Sequence, residues 1–309
     1  MQINQNNINK IISKYETFVD EISKEYSYDN NIKHLLYLIV PSFIIYYGLE
    51  NEKLILNVFK EVKIYYKESN NNFIHASFIQ KLIKTDTFHV QKYINLNKYK
   101  DVGLSMLIDT LIHEYNHAIN SYNNELKSDN DYIYLRTGIC FLKYDKLSLN
   151  VLEKSKSTYL EEIINTYDTE RIINIISTLN TYKIDNIEVS NILFTINKEF
   201  NNKEYKSNAY VFGRTICDEL IRNKTFTPTI CNLRLKGLIE DIPSLFDSVI
   251  GIENSYNKLN DLLEEVYILQ SKYYKSYLFK KYYLNKIKIK SLEVINLIKE
   301  YDNNCIYKN

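Results

Sequence analysis

Only six glycines and three prolines punctuate 309 residues. These are the residues that end helices, kink them or supply left-handed turns. A chain with so few of them is expected to run in long regular elements, mainly helices. Apolar periodicity points the same way. Ile8, Ile11, Ile12, Tyr15, Phe18, Val19, Ile22 and Tyr26 recur at three- and four-residue spacing and predict an amphipathic helix at the start. Further helices are expected through 32–60, interrupted near Pro41 and Gly48, then over 102–121, from 158 to about 179, over 206–223, and within 230–250, 254–275 and 277–301. Runs rich in β-branched and aromatic residues predict strands at 62–66 and 90–96, and a hairpin of 132–136 with 139–144 around Thr137-Gly138. The expected fold class is α+β and predominantly helical, with a small sheet packed on the 102–121 helix and a helical C-terminal half.

Charge and cysteine content narrow the function classes. Thirty-nine basic against 38 acidic side chains leave a net charge of +1, so no global field recruits nucleic acid. The abundance of Asn, Lys, Ile and Tyr reflects an AT-rich coding sequence and is not read as function. Cys140, Cys217, Cys231 and Cys305 are scattered with no Cys-x-x-Cys pair, as expected of reduced thiols in a cytoplasmic protein. The N-terminus is polar and amphipathic, so no signal peptide is expected. The strongest apolar run, 35–47, is broken by Pro41 and falls short of the roughly 20 residues that span a bilayer, so no membrane partner is expected. One local departure from charge balance stands out. Residues 272–290 carry seven lysines, no acid and several tyrosines, a pattern open to an acidic partner or nucleic acid but more commonly a solvated helix face.

The chemistry is concentrated at His113-Glu114-Tyr115-Asn116-His117. Imidazoles four residues apart on a helix lie one turn apart on one face and can reach one metal ion. Glu114 sits roughly 100° around from His113, close enough to handle a proton on metal-bound water. Leu104, Leu107, Ile108, Leu111, Tyr115 and Ala118 form an apolar stripe centred on Leu111. His113 and His117 fall roughly 200–240° from that centre. The helix therefore turns its leucines to a core and its histidines, with Met106 and Thr110 beside them, to a cleft.

These residues resemble the zincin metallopeptidases, of the gluzincin type, in which a Glu on a later helix completes the ligand set. The resemblance covers about ten residues around His113–His117 and a weaker second element. The metzincin pattern would need Gly at 120 and His at 123, where this chain has Asn120 and Asn123. Catalytic zinc usually takes three protein ligands. A third histidine could come only from His34, His75 or His89, all upstream, and a downstream carboxylate is preferred. Glu161 and Glu162 lie on the helix in which Leu160, Ile163, Ile164 and Tyr167 mark the apolar stripe. Glu162 shares a face with Asn165, Thr166 and Thr169, an uncharged hydrogen-bonding strip suited to orienting a ligand. Glu161, with Asp168, is expected in an ordinary solvated position.

The resemblance implies a zinc-dependent peptidase that hydrolyses peptide or protein substrates through a zinc-bound water activated by Glu114. His113, His117 and Glu162 are the expected metal ligands, and Tyr210 and Arg214 are candidate donors to the oxyanion. It also implies that an edge of the small sheet pairs with extended substrate. On this reading residues 1–185 form the catalytic core with its N-terminal helices, and 186–309 a helical C-terminal subdomain. Two alternatives stay open: a metal-binding regulatory or toxin-like module without peptidase activity, and a helical structural protein with a chance motif.

Overall fold

A computed structural model describes residues 5–67, 76–97, 102–179, 183–200, 205–207, 210–223 and 226–306. The chain is α+β and predominantly helical, with one three-stranded and one four-stranded sheet. It divides into two compact units, each joining two separated stretches: Met1–Ile119 with Asp168–Ser207, and Asn120–Tyr167 with Asn208–Asn309.

In the first unit, helix α1 (Gln5–Tyr26) buries Ile12, Tyr15, Val19 and Ile22, the stripe read from the sequence. Helix α2 (Asn30–Tyr47) starts where Asp29 accepts the Ile32 amide and stops at Gly48, whose φ of 92° a side chain would resist. The expected break at Pro41 does not occur, and α2 runs through it. A mid-helix proline costs about 3 kcal/mol. Here Leu35 to Ile44 are buried on all sides, and that packing outweighs the lost hydrogen bond. Helix α3 (Glu52–Glu61) leads into strand β1 (Lys63–Lys67), which pairs in parallel with β3 (Phe88–Asn97); β2 (Ala76–Lys84) flanks β3 antiparallel on its other side. The sequence pattern did not mark β2, because its apolar residues come in pairs instead of alternating. Helix α4 (Leu104–Ser121) carries the His-Glu-x-x-His motif. Its Tyr115 ring lies tilted against Phe59 with centroids 4.2 Å apart, and its hydroxyl donates to the Val62 carbonyl. The later part of helix α5 (Thr158–Leu179) and helix α6 (Ile187–Glu199), capped by Asn186, complete the unit.

The second unit opens with the antiparallel sheet β4 (Leu126–Ser128), β5 (Tyr132–Thr137), β6 (Cys140–Asp145) and β7 (Val151–Lys154), in that order. The hairpin expected around Gly138 is β5–β6, with Gly138 at φ 58°. The first part of α5 follows, then α7 (Val211–Arg222), α8 (Phe226–Lys236), α9 (Ile242–Ile250), α10 (Ser255–Lys275) and α11 (Lys280–Ile306). Leu160, Ile163, Phe226, Phe246, Leu259 and Leu263 lie at the centre of the core they share. No single described helix is long and apolar enough to cross a membrane.

Candidate metal centre

The amphipathic design of α4 decides what the motif residues face. Leu107, Ile108, Leu111, Ile112, Tyr115, Ala118 and Ile119 are all buried, whereas Met106 is 44% exposed and Thr110 and His113 are half-buried. His117, one turn deeper along the helix, is buried. The two imidazole rings stand 4.9 Å apart with their planes at 81°, so both can present a nitrogen to the same point.

Two hydrogen-bonded anchors fix this turn. Asn116 is fully buried; its Oδ1 accepts from the Tyr47 hydroxyl at 2.9 Å and its Nδ2 donates to Thr169 Oγ1 at 3.3 Å. The side chain thus ties α4 to α2 and to α5, and a rotation of the histidine turn would break both bonds. Glu114 is buried as well, and its Oε2 accepts the Phe78 amide of β2 at 2.5 Å. The small sheet therefore touches the motif helix through the acid expected to carry the proton. Phe78 had no signal in the sequence, since a backbone amide leaves none.

One nitrogen of His113, one of His117 and a carboxylate oxygen of Glu162 all lie within 4.8 Å of one another. Four donors placed tetrahedrally about 2.1 Å from a zinc ion stand about 3.4 Å apart. Two imidazoles with one carboxylate are a donor set that zinc accepts. These three side chains could hold a metal ion. Glu162 is half-buried, and the strip beside it (Asn165, Thr166 and Thr169) is buried throughout. Thr166 Oγ1 donates to the Glu162 carbonyl, and Thr169 is the acceptor for Asn116.

Glu161 and Asp168 overturn one expectation. Neither is solvated. Glu161 is 2% exposed; Arg234 Nη2 donates to its Oε1 at 2.5 Å and the Ile139 amide to its Oε2 at 2.9 Å. Asp168 is 1% exposed and accepts from the Tyr46 hydroxyl at 2.6 Å. Successive residues on a helix point about 100° apart, so Glu161 and Glu162 enter different surroundings. Arg234, wholly buried on α8, comes from 73 positions away and could not be inferred from the pattern around Glu161. Arg136 belongs to the same centre: its Nη1 donates to the carbonyls of Asn120 and Gly138 at 2.6 Å each, and its Nη2 to that of Asn123. Burial pushes the Arg136 guanidinium down to about 10; Glu161 pulls against this and Arg234 adds to it.

The other residues singled out from the sequence have identifiable contacts. Tyr210 caps α7 in a left-handed conformation, with its ring 5.9 Å from that of Tyr159. Arg214 lies 5.1 Å over the Tyr167 ring, and its carbonyl accepts from the Tyr167 hydroxyl. Among the alternative histidines, His34 pairs with Glu188 at 2.6 Å and His89 is exposed, while His75 lies outside the described residues. Among the described residues Cys140, Cys217 and Cys231 form no disulfide; burial pushes Cys140 and Cys217 up to about 12. No protein-family model, curated protein or solved structure matches this chain.

Proposed function

We propose that this protein is a zinc-dependent peptidase of the gluzincin type, acting on peptide or protein substrates in the cytoplasm. The observation that carries the reading is the convergence of His113, His117 and Glu162 within 4.8 Å, with Glu114 next to His113 on the same turn. A zinc ion held by those three side chains would polarise the scissile carbonyl and lower the pKa of a water toward about 7. Glu114 takes the proton as the water oxygen adds to the carbonyl carbon. It then hands that proton to the amine nitrogen as the carbon–nitrogen bond breaks. The Phe78 amide holds the Glu114 carboxylate in place for both transfers. Because Phe78 lies on the edge strand β2, that edge is where an extended substrate would pair. The scattered spacing of the four cysteines, with no Cys-x-x-Cys pair, supports a reducing compartment.

The same Phe78 contact favours a second reading, a metal-binding module in which Glu114 fastens β2 to α4 and does no chemistry. Metal analysis and cleavage of a peptide library by the wild type and Glu114→Gln separate the two. The peptidase reading expects about one zinc per chain, lost in His117→Ala. It also expects Glu114→Gln to keep the metal and the fold while cleavage falls by at least 100-fold. Stoichiometric metal retained in His117→Ala would remove the site altogether. Zinc bound with no cleavage by the wild type, and a large loss of stability in Glu114→Gln, would favour the module.

A further inference from the structure

Helices α10 and α11 form a hairpin joined by Ser276-Tyr277-Leu278-Phe279. The connection is held by its own hydrogen bonds: the Ser276 amide donates to the Lys272 carbonyl, and Ser276 Oγ accepts the Phe279 amide at 2.9 Å. Three large apolar side chains in succession stand out from this tip, with Tyr277 93%, Leu278 82% and Phe279 60% exposed. Lys272, Lys275, Lys280 and Lys281 surround them, all exposed, and among the described residues none of the four meets a carboxylate. Further along the same run Lys290 is different, because Glu265 and Glu293 neutralise it. The charge at the tip is thus uncompensated in a chain whose net charge is only +1.

We infer that this tip seats the protein on an anionic phospholipid surface, with Tyr277, Leu278 and Phe279 entering the headgroup–acyl boundary and the lysines contacting lipid phosphates and carboxylates. Water-exposed apolar patches rimmed by charge mark interaction sites. Shape and area decide which kind. Three such side chains offer at most roughly 500 Å², whereas a stable protein interface takes about 800 Å² per partner. An exposed tip of three apolar side chains suits a fluid bilayer, which closes around it, better than a folded partner. Nucleic acid would engage the lysines and stack on the tyrosines, but it has no use for Leu278 at the apex. The sequence pointed away from membranes because its strongest apolar run, 35–47, is too short to span a bilayer. An interfacial seat needs only a few exposed apolar residues and local positive charge, and the exposure of 277–279 is visible only in the folded hairpin. This inference uses none of the residues of the candidate metal centre and stands apart from it.

The full chain contains no tryptophan, so Leu278→Trp makes a single fluorescent reporter at the apex. With vesicles of phosphatidylcholine mixed with phosphatidylserine, its emission should shift to the blue and be quenched by bromine-labelled acyl chains. Phosphatidylcholine alone should leave it unchanged. In vesicle flotation of the otherwise unaltered chain, Lys280→Ser/Lys281→Ser should weaken binding roughly 25-fold, taking about fivefold per lysine near the surface. Tyr277→Ser/Leu278→Ser/Phe279→Ser should weaken it at least tenfold. Both variants alter exposed positions, and unchanged thermal unfolding would show that each is folded. Raising salt from about 0.1 M to about 1 M should release the protein as the screening length falls from about 10 Å to 3 Å. Water-exposed emission with anionic vesicles would overturn the proposal. So would vesicle binding that survives the triple serine change, or single-stranded RNA binding more tightly than the vesicles at the same salt.

Discussion

The turn of α5 around Glu161 and the turn of α4 around His113 and His117 both bring ionisable side chains together in a mostly apolar setting, and they do it in opposite ways. Around Glu161 the chain itself supplies the partners: Arg234 on one oxygen, the Ile139 amide on the other, and Arg136 nearby, anchored on four carbonyls. The group is closed and deeply buried. Around His113 the groups that converge are electron-pair donors, two imidazoles and the Glu162 carboxylate, and two of the three are only half-buried. A closed set of opposite charges holds a fold together, whereas a half-open set of like donors is suited to an added cation. The lesson lies in two adjacent carboxylates: one residue along a helix separates a structural acid from a candidate ligand.

That contrast can be broken most forcefully at Arg234. Arg234→Ala leaves Glu161 buried without its cation, and stability measured by urea unfolding should fall by about 3–5 kcal/mol. Glu161→Ala should cost a similar amount by stranding Arg234. Neither change should reduce zinc affinity in the molecules that remain folded. Glu162→Ala is expected to do the reverse, lowering zinc affinity well over tenfold with a loss of stability under about 1 kcal/mol. If Glu161→Ala is harmless to folding, the closed centre does not carry the role assigned to it. Loss of metal in Glu161→Ala with a normal unfolding midpoint would move the ligand by one residue.

A smaller effect sharpens the geometry of the closed centre. Gly138 sits at φ 58° in the β5–β6 turn, where its amide donates to Ser121 Oγ, and an added Cβ would overlap the Glu161 carboxylate. Gly138→Ala combines a left-handed backbone penalty with displacement of that carboxylate, and thermal or urea unfolding should register a loss of about 2 kcal/mol. A neutral result would mean that Glu161 can move away from Arg234 at little cost.

The mildest change probes the support of the half-open site. Thr169→Val removes the acceptor for Asn116 Nδ2 while keeping the shape, and stability should drop by about 1 kcal/mol. Because Asn116 lies between the two histidines on α4, zinc affinity should also fall, by roughly tenfold as for other outer partners of metal ligands. Unchanged affinity with the expected loss of stability would confine Asn116 to packing.

Much of the fold was legible because helical burial is written locally. The stripes of α1 and α4 predicted the faces that are buried, and the extents of α4, α5 and α10 match the periodic runs within a few residues. The Thr137-Gly138 hairpin was also readable, since its turn needs a residue tolerant of positive φ. Strand β2 and helix α6 were missed: the first lacks alternation, and the second, Ile187–Glu199, is rich in β-branched residues and follows a polar stretch that read as a boundary. At the site, His113, Glu114 and His117 were legible because a spacing of four on a helix is a geometric statement in itself.

The sequence by itself determined which residues share a face, since 3.6 residues per turn is a property of the local backbone. It therefore settled that His113 and His117 stand together and that Glu161 and Glu162 diverge. What each face meets was decided only by the tertiary structure. Arg234 reaches Glu161 from 73 positions away, Tyr47 reaches Asn116 from 69, and Phe78 offers Glu114 a backbone amide that no side-chain pattern encodes. The pairing of distant segments follows from how whole elements pack. A buried charge can persist only where that packing delivers its partner, which is why the solvated Glu161 expected from its neighbours is instead a buried, paired one.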